Sequence, residues 1–211
     1  MTRVLLVDDH AVVRTGFRLL LQARPDVTVV GEAESGEAAC QRYVELSPDV
    51  VVMDIAMPGM GGIEALRRIR AHDPQARVLA LSAHDDPMHA RRALREGALG
   101  FLSKRSAPEA LLEAVADVGA GRRYIDPRVA QRLALEDIAG AESSPIKRLS
   151  EREFEVFLRL ARGASVQRIA DDLSLSASTV GTHLYNVKQK LGVSNQSELT
   201  LLAIRHGLIE A

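Results

Sequence analysis

The sequence predicts two domains of different class, an α/β domain with a parallel sheet followed by an all-α domain. In the first 121 residues, five short apolar runs alternate with amphipathic segments, which is the pattern of repeated β/α units. From residue 148 onward, apolar residues recur at intervals of three and four, which is typical of helices packed on a common core. Several of the apolar runs in the first half also end in a polar or charged residue.

The five β/α units follow one another directly. The central run, which ends at Asp54, is rich in valine and indicates a strand buried on both faces. Ser35 is placed as the N-cap of the second helix, and Pro48 ends that helix. Five such units suit a flavodoxin-like sheet with strand order 2-1-3-4-5. The predicted strands cover residues 3–7, 27–30, 49–54, 77–81 and 99–102, and the predicted helices cover residues 11–23, 35–46, 62–71, 87–95 and 108–118.

Polar side chains lie at the carboxyl ends of these strands. The predicted order puts strands one and three side by side, so Asp8, Asp9 and Asp54 should converge at the edge where ligands bind in open α/β sheets. Ser82 and Lys104 end strands four and five on the same edge. A lone aspartate could equally cap its strand or the following helix, but five polar residues sharing one edge favour a site.

The residue types of this cluster indicate its chemistry. Three neighbouring carboxylates repel one another unless a cation compensates them, and oxygen-only ligands favour Mg²⁺ over zinc. Lys104 supplies a positive charge and Ser82 a hydroxyl donor, and both suit a phosphoryl group placed on Asp54. In-line phosphoryl transfer needs little beyond positioning and charge neutralisation.

Composition narrows the class of protein further. The chain has 211 residues, a net charge of −1 and one cysteine, Cys40, so no intrachain disulfide can form. No signal-like segment follows Met1, and no apolar run approaches membrane-spanning length. We therefore expect a cytoplasmic protein with no membrane partner.

The segments VLLVDDH, VVVMDIAMPGMGG, LALSAHDD and GFLSK resemble the receiver domain of bacterial two-component response regulators. The resemblance implies that the site accepts a phosphoryl group from a histidine kinase. The roles it implies are phosphoacceptor for Asp54, Mg²⁺ ligands for Asp8, Asp9, Asp54 and the backbone carbonyl of Ala56, and phosphate or switch contacts for Ser82, Lys104 and Phe101.

Some positions depart from the pattern of that family. Members often have proline after the lysine, in a cis bond, whereas Arg105 follows Lys104 here. A cis bond before a non-proline residue costs about 3 kcal/mol. Phe101 lacks the tyrosine hydroxyl of many relatives, so its switching would work through ring packing alone. Ala56 and His84 occupy the two positions that tune dephosphorylation in the family.

The rest of the chain indicates a linker and a helical domain. Residues 122–147 contain a possible short helix, 127–138, and a small, polar, turn-prone stretch, so we expect a linker there. Residues 148–211 form the second domain. Two of its helices are joined by the tight segment 173–176, which indicates a helix-turn-helix.

The second helix of that pair has an apolar and a polar face. Val180, Leu184, Val187 and Leu191 recur on the core-facing stripe, and the opposite face would enter the major groove of DNA. Glycine inside a helix costs about 1 kcal/mol relative to alanine, so Gly181 serves either close approach to a phosphate backbone or tight helix packing. The predicted DNA-binding residues are Ser178, Gly181, Thr182, Tyr185, Lys188, Gln189 and Lys190.

The charge of this domain is compatible with two functions. Residues 149–211 contain seven basic and seven acidic residues, which favours a plain four-helix bundle that contacts proteins. Residues 173–197 contain two lysines and no acidic residue, which favours DNA.

The segments LSEREFEVFLRLARG and IADDLSLSASTVGTHLYNVKQKLGV resemble the output domain of the NarL/FixJ (LuxR-type) class. LSERE and SELTLLAIRHGLIEA are most similar to the GacA/UvrY regulators. The resemblance implies double-stranded promoter DNA as a partner, including promoters of small regulatory RNAs, and a sensor histidine kinase of hybrid type as donor. It also implies a homodimer, when phosphorylated or DNA-bound, with the last helix, residues 196–206, as a dimer surface.

Two other functions compete with that of a DNA-binding regulator. One is a protein-only phosphorelay component, whose helical domain never contacts DNA. The other is an aspartate-nucleophile phosphatase, but those enzymes place a second aspartate two residues after the nucleophile as general acid, and Ala56 occupies that position. We therefore predict a transcription regulator and not an enzyme.

Overall fold

The protein is described by a computed structural model that covers residues 1–83, 87–138, 145–173, 175–206 and 208–209. Its residues form two compact units, Met1–Glu136 and Asp137–Ala211. Within the described ranges, no helix combines the length and apolarity that crossing a bilayer requires.

The first unit is built on a six-stranded parallel sheet in the order β2-β1-β3-β4-β5-β6. The five predicted strands and their order 2-1-3-4-5 are confirmed. The strands are β1 (Thr2–Val7), β2 (Val27–Ala33), β3 (Val50–Asp54), β4 (Val78–Ser82), β5 (Gly100–Ser103) and β6 (Tyr124–Ile125). The helices are α1 (Ala11–Gln22), α2 (Gly36–Leu46), α3 (Gly62–His72), α4 (Pro87–Arg95), α5 (Pro108–Gly119) and α6 (Pro127–Ile138).

The sixth strand, β6, is not predicted from the sequence. Its two residues pair with Gly100 and Phe101 of β5, and so short an extended segment has no periodicity to detect. Residues 122–136, which the sequence assigned to the linker, belong by their contacts to the first unit. Val129 of α6 is fully buried in the same core as Phe101, so this segment packs as part of the α/β unit.

The start of α6 is fixed to β5 through Asp126, which is 3% exposed. The Asp126 N–H donates to the Phe101 carbonyl oxygen at 2.9 Å. One carboxylate oxygen of Asp126 accepts the Arg128 N–H at 3.0 Å, and the other accepts the hydroxyl of Ser106. Asp126 therefore caps α6 and also joins this helix to the loop that follows β5.

Side chains of the strands alternate between two hydrophobic cores, one on each face of the sheet. Leu5 and Val51 belong to the core that includes residues of α2, α3 and α4. Their neighbours Val4 and Val52 belong to the core that includes residues of α1 and α5. Because helices cover both faces, β3 is buried along its whole length, as its valine-rich sequence predicted.

The second unit contains the four predicted helices. They are α7 (Glu151–Ala161), α8 (Val166–Asp172), α9 (Ala177–Leu191) and α10 (Gln196–Arg205), preceded by a 3₁₀ turn over Pro145–Arg148. Each helix begins at a residue whose side-chain oxygen accepts a backbone N–H of its first turn, namely Ser150, Ser165, Ser176 and Asn195. Phe154 and Phe157 of α7 are fully buried in the core of this unit.

A buried glutamate, Glu153, joins the first and third helices of the second unit. Its Oε2 accepts the Ser150 N–H at 2.7 Å, and Ser150 Oγ accepts the Glu153 N–H at 3.3 Å, which completes a capping box. Lys190 of α9 donates to the same Oε2 at 2.5 Å. Burial by itself raises the pKa of Glu153, but the hydrogen bonds from Lys190 and Ser150 outweigh it and hold the pKa below its ordinary value.

Glu153→Gln tests this contact, because it keeps the shape of the side chain and removes its charge. A carboxylate with a lowered native pKa stabilises the fold above its unfolded pKa, about 4.3, and this stabilisation is lost as the pH falls through the native pKa. We expect the variant to lower the free energy of unfolding by about 1–3 kcal/mol at neutral pH. Urea denaturation followed by circular dichroism should show this difference shrinking below about pH 4. A difference that does not change with pH would contradict the role of the charge.

Candidate functional site

Three carboxylates meet at the carboxyl edge of the sheet. Asp8 and Asp9 follow β1, and Asp54 is the last residue of β3. Because β1 and β3 are neighbours, ligand atoms of Asp8, Asp9, His10 and Asp54 lie within 4.8 Å of one another. Asp8 and Asp54 are each 2% exposed. The structure therefore brings the three predicted acidic residues together.

Lys104 bridges two of these carboxylates. Its Nζ lies 2.5 Å from Asp8 Oδ2 and 2.7 Å from Asp54 Oδ2. The residue follows β5, and its backbone N–H donates to the Ser82 carbonyl oxygen at 2.7 Å, next to the end of β4. Burial lowers the pKa of Lys104, but the two carboxylates outweigh this effect and raise the pKa above its ordinary value. The ammonium group is therefore held in its charged form.

Asp54 is held at both carboxylate oxygens. Its Oδ1 accepts the Ala56 N–H at 3.0 Å, and Lys104 donates to its Oδ2. Burial raises the pKa of Asp54, and the Lys104 ammonium and the Ala56 N–H counteract this only in part. Further positive charge beside Asp54 would favour its ionised form.

The donor set of the cluster fits a hard divalent cation such as Mg²⁺. Asp8, Asp9 and Asp54 supply carboxylate oxygens, which are the ligands that Mg²⁺ prefers. Two of these atoms, Asp8 Oδ2 and Asp9 Oδ1, are buried and accept no hydrogen bond of good geometry. Their close contacts are Lys104 Nζ, 2.5 Å from Asp8 Oδ2, and His10 Nδ1, 2.9 Å from Asp9 Oδ1. A bound cation stabilises buried carboxylate oxygens that accept no hydrogen bond.

The turn after β3 depends on a close backbone approach at Gly62. A Cβ atom on Gly62 would lie 2.0 Å from the Asp54 carbonyl oxygen. The preceding Gly61 has a φ of +73°, which side chains disfavour. The start of α3 can therefore contact the end of β3 only because residue 62 has no side chain. This contact fixes the backbone that carries Asp54.

The other predicted receiver positions lie on β4 and β5. Ser82, the last residue of β4, is 1% exposed and pairs with Ser103. Phe101 is fully buried in the core. No cis peptide bond occurs among the described residues, so the Lys104–Arg105 bond is trans. His84 lies outside the described residues.

In the second unit, α8 and α9 are the two helices of the predicted helix-turn-helix. The predicted core stripe of α9 is buried at Val180, Val187 and Leu191 and partly buried at Leu184. The opposite face is exposed at all four positions predicted from the sequence, Ser178, Thr182, Tyr185 and Gln189. Tyr185, at 62% exposure, is one of the few large hydrophobic side chains of the described residues that face solvent.

Gly181 lies on α9 in open space. A Cβ atom there would meet no described residue within 4 Å. Packing inside the unit therefore does not require glycine at this position, which excludes tight helix packing within the unit as its purpose. Close approach to a phosphate backbone, the other use that the sequence suggests, stays a prediction.

The two lysines predicted to contact DNA phosphates each have a partner within the unit. Lys188 donates to the Ser194 carbonyl oxygen at 2.9 Å, and Lys190 donates to Glu153 at 2.5 Å. Both bonds lie near the C-terminal end of α9. A phosphate contact from either lysine would have to compete with its present bond.

Two residues beside the acidic cluster were not singled out from the sequence. Arg14 of α1 donates to the Asp8 carbonyl oxygen, and Glu32 of β2 accepts from Arg14. The one sequence signal was the position of Arg14 one turn after His10, on the helix that begins at the site.

Comparisons with known proteins cover both units. A family described as response regulator receiver domain matches residues 4–116, and bacterial regulatory proteins of the luxR family match residues 147–203. The response regulator GacA of Pseudomonas protegens is 42% identical over 100% of this chain and 99% of its own length. The response regulator UvrY of Escherichia coli K12 is 41% identical over 100% of this chain and 97% of its own length.

A solved structure of RcsB from Salmonella enterica serovar Typhimurium is also similar to this chain. It contains promoter rprA and the phosphomimetic BeF₃⁻. It is 30% identical, covers 95% of this chain and 97% of its own, and superposes with a TM-score of 0.66.

Gly62→Ala tests the backbone approach beside Asp54. Its Cβ would clash with a backbone carbonyl that cannot rotate away, so we expect the free energy of unfolding to fall by about 2 kcal/mol or more. The matched control is Gly16→Ala, because a Cβ on this exposed glycine of α1 meets no described residue within 4 Å. That variant should gain about 0.5–1 kcal/mol. Urea denaturation measures both, and equal stability of the two variants would contradict the role of Gly62.

Proposed function

The chain belongs to the two-component response regulators with a LuxR-family output domain, and we propose that its switch is Mg²⁺-dependent phosphorylation of Asp54 by a sensor histidine kinase. The observation that carries the proposal is the buried Asp54 carboxylate, which shares the Lys104 ammonium with Asp8 at the end of two adjacent strands. A phosphoryl group on Asp54 would find a positive charge already in place.

Transfer of the phosphoryl group to Asp54 requires only a few groups of the protein. A carboxylate oxygen of Asp54 forms a bond to phosphorus while the phosphorus–nitrogen bond to the kinase histidine breaks and its electron pair returns to the imidazole. Asp8, Asp9, Asp54 and the Ala56 carbonyl would hold Mg²⁺, which would neutralise charge on the transferred oxygens. The Ala56 N–H, 3.0 Å from Oδ1, orients the nucleophile.

Switching follows from the charge that the phosphoryl group adds, which approaches −2. Lys104 and Ser82 would contact phosphoryl oxygens. Phe101 lies on β5, the strand that ends just before Lys104, and its ring would repack within the core. Converting a 1:99 population to 99:1 requires about 10⁴-fold preference of the phosphoryl group for the active state. A buried lysine and a buried hydroxyl are suited to provide it, because charge-assisted hydrogen bonds are stronger away from water.

A phosphatase function is disfavoured at the same site. Leaving-group protonation needs an acid beside the nucleophile, and residue 56, which offers its backbone N–H to Asp54, is alanine. Asp54 is thus suited to hold a phosphoryl group as a signal, and the protein acts as a regulator of transcription rather than as an enzyme.

We further propose that α9 reads double-stranded promoter DNA through its exposed face, with Ser178, Gly181, Thr182, Tyr185, Lys188, Gln189 and Lys190 in contact. The open space at Gly181 supports this over a protein-only relay, because a helix can approach a phosphate backbone most closely where it has no side chain. Specific contacts would come from Tyr185 and its neighbours near the middle of the helix, whereas the lysines would add non-specific affinity.

Partners and location are further parts of this proposal. A homodimer, formed on phosphorylation or on DNA, would use α10, on which Leu201 is 49% exposed. Similarity to GacA and UvrY extends the proposal to a hybrid-type kinase as donor and to promoters of small regulatory RNAs as targets. Because chromosomal DNA is the proposed partner, we place the protein in the cytoplasm.

Asp54→Ala should abolish labelling by a small phosphodonor in the presence of Mg²⁺, since the accepting carboxylate is gone. The matched control is Asp26→Ala, which removes an exposed carboxylate paired with Arg24 and should label like wild type. Phosphate-affinity gel electrophoresis measures the labelled fraction. Full labelling of the Asp54 variant would show that another residue accepts the phosphoryl group.

Gly181→Ala should raise stability and weaken DNA binding at the same time. Alanine in an unobstructed helix position stabilises by about 0.5–1 kcal/mol, whereas a methyl group at a close backbone approach would displace the DNA. We expect several-fold weaker binding to a promoter fragment, with Gly16→Ala binding like wild type. Fluorescence anisotropy across salt concentrations measures affinity and its salt slope. Promoter affinity that is unchanged in Gly181→Ala, or that does not depend on salt in wild type, would argue against DNA at this face.

A further inference from the structure

Arg14 holds the peptide that joins the two acidic residues after β1. Its Nη1 donates to the Asp8 carbonyl oxygen at 2.6 Å. This oxygen belongs to the Asp8–Asp9 peptide, so the bond restrains the plane of the unit from which both carboxylates project. The direction of each carboxylate relative to the other depends on that plane.

The rest of the Asp8 backbone is restrained from other sides. Its N–H donates to the Ala33 carbonyl oxygen of β2 at 3.1 Å. Its side-chain Oδ1 accepts the His10 N–H at 2.9 Å. With Arg14 on the carbonyl, Asp8 is fixed at its N–H, its carbonyl and one carboxylate oxygen. This leaves Oδ2 to face the centre of the acidic cluster, where Lys104 lies.

Arg14 is itself held by a second contact. Its Nε donates to Glu32 Oε2 of β2 at 2.9 Å, and its side chain is 15% exposed. Arg18, one turn later, approaches the other oxygen of Glu32 at 3.5 Å and is 45% exposed. Arg14 therefore spans the gap between β2 and the loop after β1, whereas Arg18 contacts only the glutamate among these groups. A planar guanidinium suits this task, because its nitrogen atoms donate in fixed directions.

We propose that Arg14, supported by Glu32, is a positioning residue for the Mg²⁺ site: it orients the Asp8–Asp9 peptide so that both carboxylates face one cation. The inference rests on the proposed function, which supplies the cation. Arg14 does not touch the metal in this role. It acts through the backbone of Asp8, and outer contacts of this kind commonly change metal affinity by about 10–100-fold.

A positioning role and a charge effect differ in sign. Through charge alone, Arg14 repels a divalent cation, so removing it would tighten Mg²⁺ binding. Through positioning, removing it frees the Asp8–Asp9 peptide and weakens Mg²⁺ binding. Arg18 provides the matched comparison, because it carries the same charge beside the same glutamate without reaching the Asp8 carbonyl.

The experiment is calorimetric titration of the full chain with MgCl₂, for wild type, Arg14→Met and Arg18→Met. We expect Arg14→Met to bind Mg²⁺ about 10-fold more weakly than wild type, and Arg18→Met to stay within about twofold of wild type or to bind slightly more tightly. Labelling of Asp54 by a small phosphodonor adds a second readout. At saturating Mg²⁺ the labelling rate of Arg14→Met should approach that of wild type, while half-maximal labelling should need about 10-fold more Mg²⁺.

Two further variants keep the result interpretable. Arg14→Lys retains the charge but cannot reach Asp8 and Glu32 with the same geometry, so it should also bind Mg²⁺ more weakly. Glu32→Gln leaves Arg14 in place with a weaker support and should show a smaller loss, of about threefold. If Arg14→Met loses its helical circular dichroism signal, these two variants decide the question.

Each outcome bears on a different claim. Wild-type affinity in both Arg14→Lys and Glu32→Gln, or tighter binding in Arg14→Met, would overturn the positioning role while leaving the metal site intact. Equal weakening in Arg14→Met and Arg18→Met would also overturn it, since the effect would not depend on the Asp8 carbonyl. If wild type itself binds no Mg²⁺ in the millimolar range, the proposed metal site fails, and the role of Arg14 fails with it.

Discussion

The shared ion pair of Lys104 with Asp8 and Asp54 is the interaction on which the acidic site of the first unit depends. Two carboxylates that are almost fully buried would repel each other and favour protonation without a compensating charge. The ammonium supplies that charge at 2.5 and 2.7 Å. Removing one member of such a buried set leaves the others uncompensated. The strand order matters because it places the ends of β1 and β3 side by side. β4 and then β5 follow on one side of β3, and from the end of β5 the long side chain of Lys104 reaches both carboxylates.

Rigidity around the two carboxylates determines what can respond to a new charge. The backbone at Asp54 is fixed by the close approach of Gly62, and the backbone at Asp8 is fixed by β2 and by Arg14. If Asp54 is phosphorylated as proposed, the backbones of Asp8 and Asp54 cannot shift without breaking these contacts. Lys104, at the end of a long side chain, can move with far less disturbance. Under the proposed phosphorylation of Asp54, the loop after β5 is therefore the part of the site that can move most easily.

Periodicity and strand ends account for what the sequence could predict. The β/α alternation predicted the sheet order, and the order predicted the convergence of Asp8, Asp9 and Asp54. The core stripe and exposed face of α9 followed from helical spacing in the same way. Contacts between residues that periodicity does not relate were missed. Lys190 and Glu153 are 37 positions apart, and their pairing depends on how α7 and α9 cross. The two-residue strand β6 is too short to carry a pattern, so residues 122–136 were taken for a linker.

Residues 122–136, which pack as part of the first unit, are among the residues that a displacement of Lys104 would affect. Ser106, two residues after Lys104, donates its hydroxyl to Asp126, and the Asp126 N–H donates to the carbonyl oxygen of Phe101. The other oxygen of Asp126 caps the first turn of α6. Asp126 is buried and accepts hydrogen bonds at both carboxylate oxygens. A shift of the loop after β5 would therefore disturb the hydrogen bonds that cap α6. Most of α6, up to Glu136, belongs to the first unit, so the acidic site and the start of this helix are connected through the loop after β5 and the Asp126 carboxylate. Under the proposed phosphorylation of Asp54, a shift of Lys104 would be transmitted along the chain to Ser106, and from Ser106 through the hydrogen bonds of Asp126 to the start of α6.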